Sequence, residues 1–227
     1  LNYIYLPFKI DDERKVINII RDLNLVGCSV SSPFKSKMIS HMDKLDKKTS
    51  ILNNLNTIKN VDGELHGFNT DYLGFNSLIE DKYFDNVLIY GNGSVAKTIV
   101  NVLKDKGVNK IYASGRNPEN VANFIQAHSL TNYNNQKVDL FINATPAGYD
   151  KTNDDIFKNL NFCKTLIDLN VSNSSTPLVQ EAKKMNINIF EGTDMSINQL
   201  IAQFEIYTDI QPDKKLFKEG LELYFQN

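Results

Sequence analysis

The sequence predicts a two-domain α/β protein in which each domain is built on a mostly parallel sheet. Residues 1–60 alternate between strand-like and helix-like patterns. An apolar run at 87–90 ends in a glycine-rich turn, and a helical pattern begins at once. Between residues 84 and 190, four or five strand-like runs alternate with helical segments. Such alternation is typical of a parallel sheet that is covered by helices.

The N-terminal pattern starts with a predicted strand over residues 3–8 and a helix with its apolar stripe over residues 16–23. A second strand is predicted over residues 25–31, and Pro33 then stands at a plausible first position of another helix. Lys35 would fall in the first turn of that helix, where the backbone dipole disfavours a cation. These observations favour neither of two interpretations, a solvated surface lysine and a lysine that faces an anion.

A hairpin and a short helix follow. Two strand-like runs flank residues 60–63, and the second run ends at residues 69–71, before a helix predicted over residues 72–79. Asp71 fits a helix cap as readily as a functional carboxylate, and Asn56 fits a turn. Residue type and spacing do not decide between these interpretations.

The turn at residues 91–96 follows a strand and opens a helix, which is the context of a dinucleotide-binding fingerprint. Gly91 permits the tight turn, Gly93 lets the backbone approach a pyrophosphate, and Ala96 lets the helix lie close to the strand. The expected cofactor-binding residues here are Gly91, Asn92, Gly93, Ser94, Val95 and Ala96.

Residues 91–98 also nearly fit the motif of a nucleoside-triphosphate-binding loop, G-x-x-x-x-G-K-[ST], but Ala96 replaces its second glycine. The next predicted strand, residues 110–114, favours the dinucleotide interpretation because Arg116 stands just beyond its end. An arginine at this position suits the 2′-phosphate of NADP, whereas NAD sites carry an acidic residue there. The sequence therefore predicts an NADP-binding Rossmann domain, with a solvated Arg116 as the alternative.

The rest of the chain continues the alternation. The predicted elements are a helix over 121–127, strands over 138–143 and 165–169, a helix over 176–184, a strand over 187–190 and a helix over 195–207.

Composition and charge limit the classes of function that the chain could have. The chain has 227 residues with a net charge of −2, which gives no support to nucleic-acid binding. No apolar run approaches the roughly 18 residues of a membrane span, and Cys28 and Cys163 form no close pair, so we expect a soluble, cytoplasmic protein with reduced, buried thiols. The three histidines lack metal-ligand spacing, and no metal is expected. An N-terminal segment is expected to precede Leu1, and residues 222–227 resemble a protease-cleavable linker.

Several segments resemble motifs of shikimate dehydrogenases. Residues 27–35, GCSVSSPFK, are similar to G-x-N-V-T-x-P-x-K, and residues 56–57 and 67–71 are similar to N-T and G-x-N-T-D. The fingerprint, Arg116, residues 143–146, 168–169 with 176–178, and 195–208 follow in the order of that family.

The resemblance implies reversible reduction of the 3-keto group of 3-dehydroshikimate by NADPH, a step of aromatic amino acid biosynthesis through chorismate. It implies a substrate domain, 1–78 and 200–227, around a Rossmann domain, 79–199, in a monomer or homodimer. By motif position, Lys35 and Asp71 correspond to the catalytic pair and Ser31, Asn56 and Gln199 to substrate-binding groups, while Arg116, Asn143, Thr145 and Gly192 correspond to residues at the dinucleotide.

That chemistry suits the catalytic pair. Hydride addition builds negative charge on the ketone oxygen, so an acid is needed beside it. A carboxylate near Lys35 would keep the ammonium charged and in position.

The sequence departs from the family pattern in four places. The S-x-S segment of the first strand is absent, Val171 replaces a tyrosine, and Phe34 and Gly115 replace a histidine and an asparagine. These changes favour the shikimate dehydrogenase-like branch. An NADPH-binding protein with little catalysis, and a methylene-folate dehydrogenase, are the alternative functions.

Overall fold

The computed structural model describes residues 2–149, 154–172 and 174–226. The chain divides into two compact units, Leu1–Thr70 with Ile206–Thr208 and Asp71–Glu205 with Asp209–Asn227. The domain boundaries expected from the sequence stay a prediction.

The first unit contains a small sheet with helices. Its strands are β1 (Gly27–Ser29), β2 (Lys44–Leu45), β3 (Thr57–Val61) and β4 (Glu64–Phe68). Its helices are α1 (Glu13–Asp22), α2 (Lys47–Leu52) and a 3₁₀ helix (Lys37–His41). A core that includes Ile20, Met38, Leu55, Ile58 and Leu65 is almost fully buried between them.

The sheet of the first unit is mixed, with the order β1-β3-β4-β2. β3 pairs antiparallel with both β1 and β4, and only β2 pairs parallel with β4. The expectation of a mostly parallel sheet is therefore wrong for this unit. The predicted hairpin explains why, since Asp62 and Gly63, at φ of 53° and 93°, form a tight turn that joins antiparallel strands.

The strand predicted over residues 3–8 is also wrong. Residues 2–10 contain no helix or strand, and the side chains of Tyr3, Ile4, Tyr5, Leu6 and Phe8 are exposed. An apolar run becomes a strand only where a neighbouring strand satisfies its N–H and C=O groups, and this segment pairs with no strand among the described residues. Within this segment, Tyr5 donates a hydrogen bond to Ser29 Oγ at 2.5 Å.

The second unit contains the Rossmann sheet. Its strands are β5 (Asn86–Tyr90), β6 (Lys110–Ser114), β7 (Thr131–Asn132), β8 (Val138–Asn143), β9 (Cys163–Asp168) and β10 (Asn188–Glu191). The later helices of the chain are α3 (Thr70–Leu78), α4 (Ser94–Asp105), α5 (Pro118–His128), α6 (Asp154–Phe157), α7 (Pro177–Lys184), α8 (Gly192–Thr208) and α9 (Lys214–Gln226), with a 3₁₀ helix at Lys158–Phe162.

All neighbouring strands of this sheet are parallel, and their order is β10-β9-β8-β5-β6-β7. Counted from β5, this is the 3-2-1-4-5-6 arrangement of the doubly wound dinucleotide fold. The strand order reverses between β5 and β8, and ligands of such sheets bind outside the carboxyl ends of the strands at that point. The predicted α/β class and Rossmann sheet are confirmed.

Both cysteines are free and partly buried. Burial raises the pKa of the Cys28 thiol to about 12, and burial likewise raises the pKa of Cys163 to about 12. Since the thiolate is the nucleophile, burial lowers the reactivity of both thiols. Within the described part of the chain, no helix combines the length and the apolar character that crossing a membrane would require.

Candidate active site

The turn between β5 and α4 has the backbone that the fingerprint predicts. Gly91 has φ of +121°, and a methyl group on it would lie 2.7 Å from Thr145 Cγ2. Gly93 is the N-cap of α4, makes no side-chain capping bond, and has open space where a Cβ would be. Ala96 is fully buried against the core. The first backbone N–H groups of α4 therefore follow a glycine that has open space around its Cβ position, and this arrangement fits a pyrophosphate.

Arg116 lies beside this turn. Its neighbour Gly115 follows β6, and a methyl group on Gly115 would lie 3.9 Å from the Gly91 nitrogen, which itself donates to Ser114 O at 2.9 Å. Burial raises the pKa of Tyr90, the last residue of β5, while the charge of Arg116 opposes that rise. Arg116 is exposed and follows β6 by two residues, which places it at the carboxyl edge of the sheet. This position suits a phosphate on the ribose of a dinucleotide.

The loop after β8 forms the neighbouring wall. Ala144 N donates to Tyr90 O at 2.9 Å, which ties the loop to the end of β5. The fully buried Asn143 accepts hydrogen bonds from Thr145 N at 3.1 Å and from Thr145 Oγ1 at 2.9 Å. The structure thus brings Thr145 to the Gly91 turn, while the Asn143 amide oxygen is engaged by Thr145 within the loop.

Gly192 lies on a third segment of the same unit. It is the first residue of α8, and a methyl group on it would lie 2.6 Å from the carbonyl oxygens of both Leu169 and Asn170. Only glycine allows the start of α8 to approach the segment after β9 this closely. Gly192 therefore fixes backbone geometry at the carboxyl end of β9.

The three candidate residues of the first unit meet at one end of its sheet. Val30 N donates to Asn56 O at 2.8 Å, and Leu55 N donates to Lys35 O at 3.1 Å. The segments that carry Ser31 and Lys35 are thereby held against the segment that carries Asn56. Ser31 is exposed and Lys35 half-buried, so both side chains have access to solvent.

The sequence predicted that Lys35 lies in the first turn of an α-helix, and this prediction is wrong. It lies in a turn before the 3₁₀ helix Lys37–His41. An α-helix would need Lys35 O for the amide of Ile39, but that oxygen accepts from Leu55, and Ile39 N turns to Ser36 O at 3.4 Å. The dipole argument about Lys35 therefore does not apply.

Asn56 is almost fully buried, with 1% of its surface exposed. Its Oδ1 accepts from Thr70 N at 2.8 Å and from Thr70 Oγ1 at 3.0 Å, so it caps the start of α3. This oxygen is therefore occupied within the protein.

Asp71 and Gln199 lie on two helices that approach closely. A methyl group on Gly74, one turn after Asp71 in α3, would lie 3.0 Å from Gln199 N in α8. Asp71 is 4% exposed and lies in the first turn of α3, where a carboxylate is favoured by the helix dipole. Because positions three apart share a helix face, the Asp71 and Gln199 segments belong to one neighbourhood.

Sequence reasoning assigned a role to only one member, Asn143, of a polar cluster in the second unit. Asp168, Asn143, Asn170 and Thr176 form a hydrogen-bonded group at the carboxyl end of β9, and Asp168 is fully buried. An aspartate that closes an apolar strand was the available signal, since a charge in such a place needs partners.

Matched serine variants should separate the two glycines of the turn. Gly91→Ser should destabilise the protein by about 1–3 kcal/mol, because its φ disfavours a side chain and Thr145 occupies the space. Gly93→Ser should leave stability within about 0.5 kcal/mol, since serine suits an N-cap, yet weaken NADPH binding by about tenfold. Urea denaturation and fluorescence titration measure both effects. Equal stability losses would contradict this account of the turn.

Comparisons with known proteins agree with the geometry. The shikimate dehydrogenase substrate binding domain family matches residues 1–58. The chain is 31% identical to the shikimate dehydrogenase (NADP(+)) of Clostridium beijerinckii over 98% of this chain and 87% of that protein. It is 29% identical to a shikimate dehydrogenase-like protein of Haemophilus influenzae over 97% and 85% of the two chains. A shikimate dehydrogenase solved in complex with NADP+ superposes with a TM-score of 0.85 at 28% identity, covering 100% of this chain and 87% of the other.

Proposed function

Because the chain belongs to the shikimate dehydrogenase family, we propose that it transfers a hydride reversibly between NADPH and 3-dehydroshikimate or a related cyclic keto acid. The chain is an NADP-dependent oxidoreductase, as its relatives are. The observation that carries the proposal is the uncovered N-terminus of α4 at Gly93, with Arg116 at the end of the adjoining strand. The family also favours shikimate chemistry over a methylene-folate dehydrogenase.

The chain offers a place for each part of the coenzyme. Bound NADPH supplies the hydride. The backbone of Gly91, Asn92 and Gly93 and the first turn of α4, from Ser94 to Ala96, would hold the pyrophosphate. Arg116 would pair with the 2′-phosphate, and Thr145 would border the coenzyme from the loop after β8. Gly192 would act through the backbone that it fixes.

Lys35 and Asp71 are the proposed catalytic pair. Reduction of a ketone leaves negative charge on its oxygen, and the Lys35 ammonium would donate the proton that neutralises it. The Asp71 carboxylate would hold that ammonium charged and oriented. In the oxidative direction the same groups would accept the hydroxyl proton.

Ser31, Asn56 and Gln199 are the proposed substrate-binding groups. Hydroxyl and amide side chains can both donate to and accept from the ring hydroxyls of a polyol. The segments of Ser31 and Asn56 are joined by the hydrogen bond from Val30 to Asn56 O, which supports a shared role. We further propose that residues 1–78 and 200–227 form the substrate domain and residues 79–199 the coenzyme domain.

The choice of substrate needs a direct comparison. We expect initial rates of NADP+ reduction with shikimate to exceed those with quinate, and both to exceed the rates with NAD+. NADPH binding without turnover of either acid would instead favour the alternative, an NADPH-binding protein with little catalysis. Two observations support that alternative: Val171 replaces the tyrosine of the family motif, and the chain is similar to a shikimate dehydrogenase-like protein.

Arg116→Ala should weaken NADPH binding by about 10–100-fold and change NADH binding by less than about twofold, because only NADPH carries the 2′-phosphate. Fluorescence titration with both coenzymes measures the difference. Arg21→Ala, which removes an exposed arginine from α1, is the matched control and should change neither affinity. A parallel loss of both coenzymes would remove Arg116 from the 2′-phosphate.

A further inference from the structure

The buried cluster at the end of β9 is organised around one carboxylate. Asp168 Oδ1 accepts from Asn143 Nδ2 at 2.9 Å and from Asn170 Nδ2 at 2.9 Å. Asp168 Oδ2 accepts from Thr176 Oγ1 at 2.6 Å, and that hydroxyl in turn accepts from Val179 N at 3.2 Å. Both oxygens of a fully buried carboxylate are thus satisfied by donors from β8, from the segment after β9 and from the start of α7.

The orientation of the Asn143 amide follows from these bonds. An ionised carboxylate only accepts hydrogen bonds, so Asn143 must turn its Nδ2 towards Asp168. Its Nδ2 also donates to Ala147 O at 2.7 Å, and its Oδ1 is then left to accept from Thr145 N and Oγ1. Thr145 Oγ1 accepts from Ala147 N at 3.1 Å, which closes the loop.

The loop that Asn143 holds borders the fingerprint turn. A methyl group on Gly91 would lie 2.7 Å from Thr145 Cγ2 and 3.1 Å from Ala144 O. A change in the orientation of the Asn143 amide would release Thr145 from its present position. The turn at Gly91 would then lose the wall that faces it.

We propose that Asp168 is a positioning residue for the coenzyme: through Asn143 it sets the 143–147 loop against the Gly91 turn. This role rests on the proposed function, because the loop matters for the reaction only if NADPH binds beside it. Asp168 itself is buried and does not need to touch the coenzyme.

The test uses the full-length protein with Asp168→Asn, which removes the charge and keeps the size. We expect the NADPH dissociation constant to rise about tenfold, because a bond to a charged partner is replaced by a weaker neutral one. Hydrogen–deuterium exchange at the amides of Ala144, Thr145 and Ala147 should become about tenfold faster without coenzyme. The KM for shikimate at saturating NADP+ should stay within about twofold.

Asp139→Asn is the matched control. Asp139 is a partly buried residue near the amino end of β8 in the same sheet. Its carboxylate accepts hydrogen bonds from Asp85 N at 3.1 Å, from Asn86 N at 3.2 Å and from the Lys164 ammonium at 2.8 Å. It should lower the thermal stability without changing NADPH affinity. An equal loss of NADPH affinity in both variants would overturn the proposal, since it would reflect stability alone.

A double-mutant cycle tests the route through Asn143. If Asp168 acts through that amide, adding Asp168→Asn to Asn143→Ala should change NADPH affinity by less than about twofold. Fully additive losses would overturn the proposal. Should Asp168→Asn fail to fold, Asn143→Ala alone decides, because unchanged NADPH affinity and exchange in that variant would overturn it.

The outcomes separate this role from the proposed function. A wild-type protein that binds no NADPH would contradict both. A wild-type protein that binds NADPH, with unchanged affinity in a folded Asp168→Asn variant, would contradict only the role of Asp168.

Discussion

Replacing Lys35 with alanine should lower kcat by about 10²–10⁴-fold and leave the NADPH dissociation constant within about twofold. The loss follows from the charge that develops on the substrate oxygen, which would have no acid beside it. The affinity should persist because the proposed coenzyme residues lie on the second unit, whereas Lys35 lies on the first. Steady-state rates and fluorescence titration of the same preparation measure the two effects.

Lys37→Ala is the control for this prediction. Lys37 stands two residues further along, on the 3₁₀ helix, with its side chain 55% exposed, its ammonium 5.8 Å from the Phe34 ring centroid and 3.9 Å from Glu13. It removes the same charge from the same surface region and should keep kcat within about threefold. Equal loss of turnover and NADPH binding in Lys35→Ala would contradict a catalytic role.

Asp71→Asn should lower kcat by about 10–10³-fold, because the Lys35 ammonium would lose the carboxylate that orients it beside the reacting oxygen. The substitution keeps the size of a side chain that is 4% exposed, so packing around the start of α3 should survive. Initial rates with NADP+ and shikimate saturating measure the loss.

A second aspartate at a helix start serves as the comparison. Asp46 caps α2 by accepting from Lys48 N at 2.8 Å and from Thr49 N at 3.2 Å, and asparagine can make the same bonds. Asp46→Asn should keep kcat within about twofold. If Asp71→Asn also keeps kcat within about twofold, Asp71 is a helix cap and has no part in proton transfer.

The Rossmann unit was largely predictable because its strands are buried on both faces. Such strands read as short apolar runs between turn residues, and the predicted strands over 110–114 and 138–143 match β6 and β8. Short strands such as β7 (Thr131–Asn132) carry no pattern of their own. They form where a neighbouring strand offers hydrogen bonds, which single-segment reasoning does not contain.

The first unit was less predictable for the same reason. The apolar run at residues 3–8 has the composition of a strand but no strand partner among the described residues. The turn at Lys35 depends on a hydrogen bond from Leu55, which is twenty residues away in the chain. Contacts of this kind are set by tertiary packing, which overrides local propensity.

The candidate site was predictable in residue type more than in arrangement. The glycines of the fingerprint and Arg116 stand where the motif predicts, because a strand, turn and helix define their geometry locally. The hydrogen bonds between Asn56 and Thr70 and between Asn143 and Asp168 could not be predicted, since each joins elements that are distant in sequence.

The most direct measurement is label transfer from shikimate that carries deuterium on the carbon of the reacting hydroxyl. Wild-type protein is mixed with this substrate and NADP+, and the coenzyme is then analysed by mass spectrometry, with labelled quinate in a parallel reaction. Direct hydride transfer predicts NADPH that carries the deuterium. NADPH without the label, or no NADPH from either acid, would contradict the proposed reaction.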